Sequence, residues 1–274
     1  MKKTESIPVV VTGAAGRMGR ALVAAVCEDE RLQLVGATEA PGHPALGAEA
    51  GEVAGVKFRG VKITEGLSGL ASPGTVVIDF TAPEATAAHA RFCGREGAAM
   101  VIGTTGLSPE QKAVVQEAAK KVPCVLAPNM SVGVNLLFYL VEEAARITGP
   151  GFDIEVVEVH HRLKKDAPSG TALRLLEVAA EARGWKPREA GRFCREGMIG
   201  PRPQEEIGVQ TVRAGDIVGE HLVMLAGPGE RLELIHRAHT RATFAQGAVR
   251  AAVWVASQAP GLYDMQDVLG LKHG

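Results

Sequence analysis

Residues 8–26 constrain the fold more than any other part of the chain. A short β-branched run, 8–11 (PVVV), leads at once into Gly13-Ala14-Ala15-Gly16-Arg17-Met18-Gly19, and residues 20–26 then read as a helix. In this strand, glycine turn, helix order, the first glycine permits a tight turn and the second lets backbone approach a phosphate. The third lets the helix pack on the strand. The helix N-terminus then offers unpaired N–H groups and the positive end of its dipole to a pyrophosphate. Such a glycine pattern gains meaning from a second strand that ends in an acid about 20 residues on. Residues 32–38 supply that strand and Glu39 the acid. A carboxylate there accepts hydrogen bonds from the adenosine ribose and repels a 2′-phosphate unless a base compensates. Ala40-Pro41-Gly42 follow, without a base. The pattern favours NADH, while Arg17 keeps NADPH open.

The alternation of strand and helix continues. Residues 75–80 (TVVIDF) form a nearly continuous apolar run, as in strands buried on both faces of a parallel sheet, and 83–94 fit the following helix. Residues 100–102 form the next strand, ending in Gly103-Thr104-Thr105-Gly106, and 109–121 a helix. Residues 122–126 form another strand, ending in Ala127-Pro128-Asn129-Met130. Ligands of open α/β sheets sit outside the carboxyl ends of the strands, so loops 13–18, 39, 103–105 and 127–130 are expected to line one crevice. Ordinary strand-to-helix turn chemistry is the alternative for the last two loops.

The pattern changes after a helix at about 135–147. Residues 153–160 read as a strand, 171–183 as a helix, and 207–213, 217–225 and 231–239 as β-rich runs separated by Ala214-Gly215-Asp216 and Gly227-Pro228-Gly229-Glu230. Short turns between such runs predict an antiparallel meander, which with 153–160 gives a mixed sheet of about four strands. Residues 184–206 read as a long surface loop. The helix at 243–257 is expected to return to the first domain. The expected fold is therefore α/β: a Rossmann-type parallel-sheet dinucleotide domain, 1–131 completed by 242–274, plus an α+β domain, 132–241, with a mixed or antiparallel sheet. The second domain would bind substrate and, through its open sheet face, make a homo-oligomer.

At the end of the 153–160 strand stands His160-His161-Arg162-Leu163-Lys164-Lys165-Asp166-Ala167-Pro168-Ser169-Gly170-Thr171. It combines imidazoles that titrate near neutrality, fixed positive charge and a Ser-Gly-Thr helix start that offers N–H groups to a carboxylate. These are parts for gripping an anion and protonating it. Neighbouring strand residues face opposite ways, so His160 and His161 serve one site only if the strand ends there. Lys164 is then free to fold back toward them. Asp79, Glu155 and Glu158 read as structural, and Arg213, Asp216 and Glu220 as satisfying turns or subunit contacts. The histidine pair lacks the helical spacing and third ligand of a zinc site, so no metal is expected.

Composition narrows the remaining choices. At 274 residues with 46% hydrophobic content and a formal charge of −1, the chain has material for a packed core and no polyanion-binding bias. No nucleic-acid partner is expected. Lys2-Lys3 before a strand-length apolar run only imitates a signal peptide, and no window reaches membrane-span length. Four scattered cysteines, Cys27, Cys93, Cys124 and Cys194, suggest neither a disulfide framework nor a zinc knuckle. The expected location is the cytoplasm, without a membrane partner.

Beyond these local readings, the chain resembles the 4-hydroxy-tetrahydrodipicolinate reductase (dihydrodipicolinate reductase) family of lysine and diaminopimelate biosynthesis, nearly end to end. The resemblance is carried by 11–20 (VTGAAGRMGR), 101–106 (VIGTTG), 131–135 (SVGVN), Glu158-Val159-His160-His161 through Lys164 to 166–173 (DAPSGTAL), and 212–221 (VRAGDIVGEH). It implies a homotetrameric, NADH- or NADPH-dependent reductase acting on a cyclic dicarboxylate. On the family pattern His160 is the proton donor and acceptor, Lys164 a proton donor, and His161, Gly170 and Thr171 bind substrate. Gly13, Ala14, Ala15, Gly16, Arg17, Met18, Glu39, Gly103, Thr104, Thr105, Ala127, Pro128, Asn129 and Met130 fall on cofactor-binding positions. The chain carries Ala40 and Ala82 where some members have Arg, and Met130 where some have Phe. Ala40 argues against a strong NADPH preference. Two other readings remain at the level of local pattern. One is another two-domain NAD(P)-dependent amino- or hydroxy-acid dehydrogenase, and the other is a nucleotide-sensing module, which leaves the histidine and lysine cluster without a purpose.

Overall fold

The computed structural model describes residues 6–58 and 60–272; Lys2 and Lys3 lie outside the described residues. The chain forms two compact units, one within Met1–Val132 and Arg241–Gly274, the other Gly133–Thr240.

In chain order the first unit contains β1 (Ile7–Thr12), α1 (Arg17–Glu28), β2 (Leu32–Glu39), α2 (Ala50–Ala54), β3 (Ile63–Glu65), β4 (Val76–Asp79), α3 (Pro83–Glu96), β5 (Ala99–Ile102), α4 (Pro109–Ala119) and β6 (Pro123–Leu126). The second contributes α5 (Val132–Thr148), β7 (Asp153–His160), α6 (Gly170–Ala182), α7 (Pro187–Ala190), β8 (Gly191–Arg192), β9 (Ile207–Arg213), β10 (Gly219–Gly227) and β11 (Glu230–Ala238). The chain then returns to the first unit as α8 (Ala242–Val255), β12 (Gly261–Tyr263) and α9 (Met265–Leu269).

The first unit is a sheet of order β12-β6-β5-β4-β1-β2-β3 whose pairings are all parallel. β4 and β5 are buried at every position, which is why they read as unbroken apolar runs. Alternate residues serve opposite faces. Val9, Val11, Ile78 and Val101 pack with α1, α8 and α9, whereas Val10, Val77, Met100 and Ile102 pack with α3 and α4. The chain thus leaves β1 and β4 toward opposite faces, which makes their carboxyl ends the switch point of the sheet. α1 begins at Arg17, inside the glycine run and earlier than expected. A Cβ on Gly19 would lie 2.0 Å from the Gly13 carbonyl oxygen, so only glycine lets the helix come this close. Ser108 and Gln111 close a capping box at the start of α4.

The second unit is a mixed sheet of order β11-β10-β7-β9-β8. It corrects the expected meander. β7 stands between β9 and β10, parallel to the former and antiparallel to the latter, and only β10 and β11 form a hairpin. Residues 214–218 look like a tight turn but close over the end of β7. The Ala214 N–H donates to the His160 carbonyl at 2.8 Å, and the Arg162 N–H donates to the Gly215 carbonyl at 3.1 Å. The chain therefore crosses β7 and starts β10 at Gly219, later than the expected 217. Residues 184–206 are not loop throughout, because α7 and β8 lie within them. Arg195 and Arg202 also bind Glu155, Glu206 and Asp153, fastening this stretch to β7 and β9. α5 and α6 cover one face, burying Ile154, Val156, Ile207, Val209, Val223 and Leu225. On the other face Val212 and Ile235 remain exposed.

Candidate functional site

In the first unit the predicted nucleotide residues gather at the carboxyl ends of β1, β2, β5 and β6. Gly13 has φ +62°, and a Cβ there would stand 2.9 Å from the Thr81 side chain, which places the glycine turn at the β1/β4 switch point. Gly16 caps α1 without a side-chain acceptor, and no acid lies in the first turn. The first-turn N–H groups therefore have no side-chain acceptor at the cap, and the glycine-lined turn leaves room for an anion. Gly16 and Arg17 are exposed, Met18 is half-buried, and Ala14 and Ala15 are buried. Glu39, the last residue of β2, reaches back to this turn, accepting from the Ala15 N–H at 2.9 Å and from the Ala40 N–H at 3.2 Å. An open helix N-terminus, a cradle that a Cβ would fill and an acid at the β2 end together suit a dinucleotide.

Thr104 is held from below. Its hydroxyl donates to Asp79 at 3.2 Å and accepts from the Thr81 N–H at 3.0 Å and from the Thr86 hydroxyl at 2.7 Å. Asp79 is fully buried and also binds the Thr81 and Thr86 hydroxyls and Nδ1 of His89, the last at 2.6 Å. Burial pushes its carboxyl up, but His89 and the threonine hydroxyls more than offset this and hold it below the usual carboxylate range. Gly103 has no space for a side chain, since a Cβ would lie 2.2 Å from the Phe80 ring. Thr105 is exposed. In the last loop the Ala127 N–H donates to the Ile102 carbonyl at 3.1 Å, and the Asn129 carboxamide oxygen accepts from the Ser131 N–H at 2.9 Å. Pro128 is exposed, and Met130 is buried beneath α8, where only glycine at 247 clears its carbonyl.

In the second unit β7 ends at His160, which keeps its place on the inward face of the strand, so His161 alone is released from strand alternation. Nδ1 of His160 is hydrogen-bonded to Glu158 Oε2. Glu158 is fully buried. It takes both Arg213 guanidinium nitrogens at 2.9 Å, the Ser169 N–H at 3.1 Å and the Thr211 hydroxyl at 3.2 Å. Burial favours its neutral form, but Arg213 and His160 more than compensate and keep its carboxyl below the usual range. His160 is shifted down, first by burial; Glu158 opposes this, while the Lys164 and Arg213 charges reinforce it.

Ser169 caps α6, its hydroxyl accepting from the Ala172 N–H at 3.1 Å, and lies 3.3 Å from Nε2 of His221. His221 meets the His160 ring edge-on at a centroid distance of 5.2 Å. Lys164 donates its backbone N–H to the His161 carbonyl and its ammonium to both Asp166 oxygens at 2.9 Å. His161 is half-buried, with a buried Nδ1 that no protein group meets. Gly170 is exposed at the first turn of α6 and Thr171 half-buried beside it, after a cis Ala167–Pro168 peptide. The second unit thus assembles His160, Lys164 and the α6 N-terminus, an arrangement able to bind a carboxylate and exchange a proton beside it. Among the described residues no group of three or more His, Cys, Asp or Glu is placed to hold a metal ion, and no helix is long and apolar enough to cross a membrane.

Glu158, Arg213 and His221 were not among the expected site residues. One signal was available. Glu158 and His160 continue, two residues apart, the inward stripe of Ile154 and Val156, so an acid and a histidine share the buried face.

Two family profiles tile the chain: the N-terminus of dihydrodipicolinate reductase matches residues 7–130, and its C-terminus residues 133–269. A 4-hydroxy-tetrahydrodipicolinate reductase of Anaeromyxobacter dehalogenans is 54% identical over 97% of this chain and 98% of its own length. One of Citrifermentans bemidjiense is 51% identical over 97% of this chain and 100% of its own length. Among solved structures, a dipicolinate-bound dihydrodipicolinate reductase of Paenisporosarcina sp. TG-14 superposes with TM-score 0.74 at 27% identity, covering 96% of this chain and 99% of that one.

Proposed function

The chain belongs to the dihydrodipicolinate reductase family, and on that premise we propose how its residues share the work of the reaction. The protein is an oxidoreductase that reduces 4-hydroxy-tetrahydrodipicolinate to tetrahydrodipicolinate with a reduced pyridine nucleotide, a step of lysine and diaminopimelate biosynthesis. The nucleotide, when bound, supplies the hydride; the protein must hold both reactants and provide a proton.

Gly13 to Met18 and the first turn of α1 hold the pyrophosphate, Glu39 the adenosine ribose, and Gly103 to Thr105 and Ala127 to Met130 the remainder of the cofactor. Glu39 followed by Ala40 favours NADH, because a 2′-phosphate would meet a carboxylate without a compensating base. His161, Gly170 and Thr171 bind a substrate carboxylate at the α6 N-terminus, where helix dipole and N–H groups favour an anion. His160, with Lys164 beside it, delivers the proton that quenches the charge left by hydride addition. A positioned acid of this kind contributes about 10²–10⁴-fold.

The observation that carries this assignment is the grouping of His160 and the capped start of α6 around the buried Glu158, with the Lys164 charge acting on the His160 ring. Comparing nucleotide oxidation by wild type, His160→Gln and Lys164→Ala tests it. We also assign a cytoplasmic homotetramer: the four cysteines are free thiols, and the exposed Val212 and Ile235 give the open sheet face apolar surface for a second copy.

A further inference from the structure

We propose that Glu158 is the positioning residue of this site: its buried carboxylate fixes the His160 proton on Nδ1, reserves Nε2 for exchange with substrate, and ties that ring to the N-terminus of α6. This rests on the reading of His160 as the proton donor.

The argument begins with donors and acceptors. An ionised carboxylate only accepts hydrogen bonds, so every group around Glu158 must donate. Its two oxygens have separate duties. Oε1 takes the Ser169 N–H, the Thr211 hydroxyl and one Arg213 nitrogen, whereas Oε2 takes the other Arg213 nitrogen and His160 Nδ1. One oxygen therefore fixes the helix start and the other fixes the ring. The two-pronged Arg213 contact keeps the carboxylate ionised in a fully buried position. With the Nδ1 proton committed in both charge states, only Nε2 of His160 titrates. That nitrogen points toward Gly219, where the absence of a side chain leaves it clear.

The charges around the ring are consistent with a proton that can be given up. Glu158 on β7 favours the imidazolium. Arg213 from β9 and Lys164 from the following loop oppose it, and His221 on β10, buried edge-on to the ring, is held neutral by burial. Among the described residues Glu158 is the leading anionic group acting on His160, and it supplies the counter-charge of the imidazolium.

The test is Glu158→Gln. Its amide NH2 would lose three donors on the Oε1 side but only one, an Arg213 nitrogen, on the Oε2 side, so it turns to His160 and donates to Nδ1. The neutral ring then carries its proton on Nε2. In the full-length enzyme we expect kcat to fall by about 10²–10⁴-fold with a much smaller change in KM, as when an orienting acid becomes an amide. The limb of the kcat/KM profile assigned to His160 should also move to lower pH. Nitrogen-15 NMR of histidine-labelled protein, with the His160 signals identified by their loss in His160→Gln, should show Nδ1–H in wild type and Nε2–H in the variant. An Nε2–H tautomer in wild type overturns the inference, whether or not Glu158→Gln folds. So does a folded Glu158→Gln with wild-type kcat and an unmoved pH limb. If His160→Gln itself keeps wild-type turnover, the proton-donor reading fails instead, and the wild-type tautomer still decides whether Glu158 fixes the ring.

Discussion

Gly219 lies against Nε2 of His160, so close that a Cβ on the glycine would stand 3.0 Å from that nitrogen. Gly219 is not among the glycines with positive φ, so its backbone accepts alanine. Gly219→Ala should therefore fold normally and crowd the Nε2–Cδ2 edge of the His160 ring. We expect kcat/KM to drop by about 10- to 100-fold, the usual consequence of displacing a reacting group by a fraction of an ångström to an ångström. Steady-state kinetics beside a thermal melt separate this from a loss of stability.

The pH dependence has a definite sign. In the free protein burial holds His160 below its ordinary pKa of 6.5. As a proton donor it must be charged, so kcat/KM should fall as pH rises through that lowered value. A bound dicarboxylate brings negative charge beside the ring and favours the imidazolium. The corresponding limb of kcat should consequently lie at higher pH than that of kcat/KM. Parallel profiles measured from pH 5 to 9 check this; coincident limbs would place the dianion away from His160.

Glu39 should govern nucleotide choice. Its carboxylate is already organised by the Ala15 and Ala40 N–H groups at the lip of the glycine turn. Glu39→Ala should weaken NADH use, by about 1.5–3 kcal/mol for a lost hydrogen bond to a charged group. NADPH use should improve, since the repulsion disappears. The ratio of kcat/KM for the two nucleotides is the measurement.

His221 links stability to pH. Burial, aided by the neighbouring His160, pushes it down to about 3. Between that value and the ordinary 6.5, the unfolded chain binds a proton that the folded chain does not. Stability is therefore fully present above 6.5 and declines as pH falls through this window, by at most about 1.4 kcal/mol per pH unit for one such group. Denaturant unfolding at pH 7, 6 and 5 should show the slope, and His221→Asn should flatten it.

The first unit was largely legible because its signals are local. A glycine that must adopt φ +62° at 13, a glycine that must clear a carbonyl at 19 and apolar strands at regular intervals all appear in sequence as they act in space. The second sheet was less so. Residues 214–218 have the composition of a hairpin turn, and their use as a clasp over β7 depends on hydrogen bonds to His160 and Arg162 that no local pattern displays. Glu155 and Glu158 pose the same difficulty. Both are acids on one strand, but three residues apart they face opposite sides of the sheet. Glu155 meets Arg195 and Arg202, whereas Glu158 meets the site histidine. The α6 start was legible for the opposite reason, because the proline and the Ser-Gly-Thr cap follow one another directly.

The most direct measurement is the absorbance of NADH on addition of 4-hydroxy-tetrahydrodipicolinate generated in place by its synthase. Wild type should oxidise the nucleotide in step with substrate supply, and His160→Gln and Lys164→Ala should each be slower by about 10²–10⁴-fold while still binding the cofactor. A flat trace from folded, nucleotide-binding wild-type protein, or variants that turn over at the wild-type rate, would contradict the assignment.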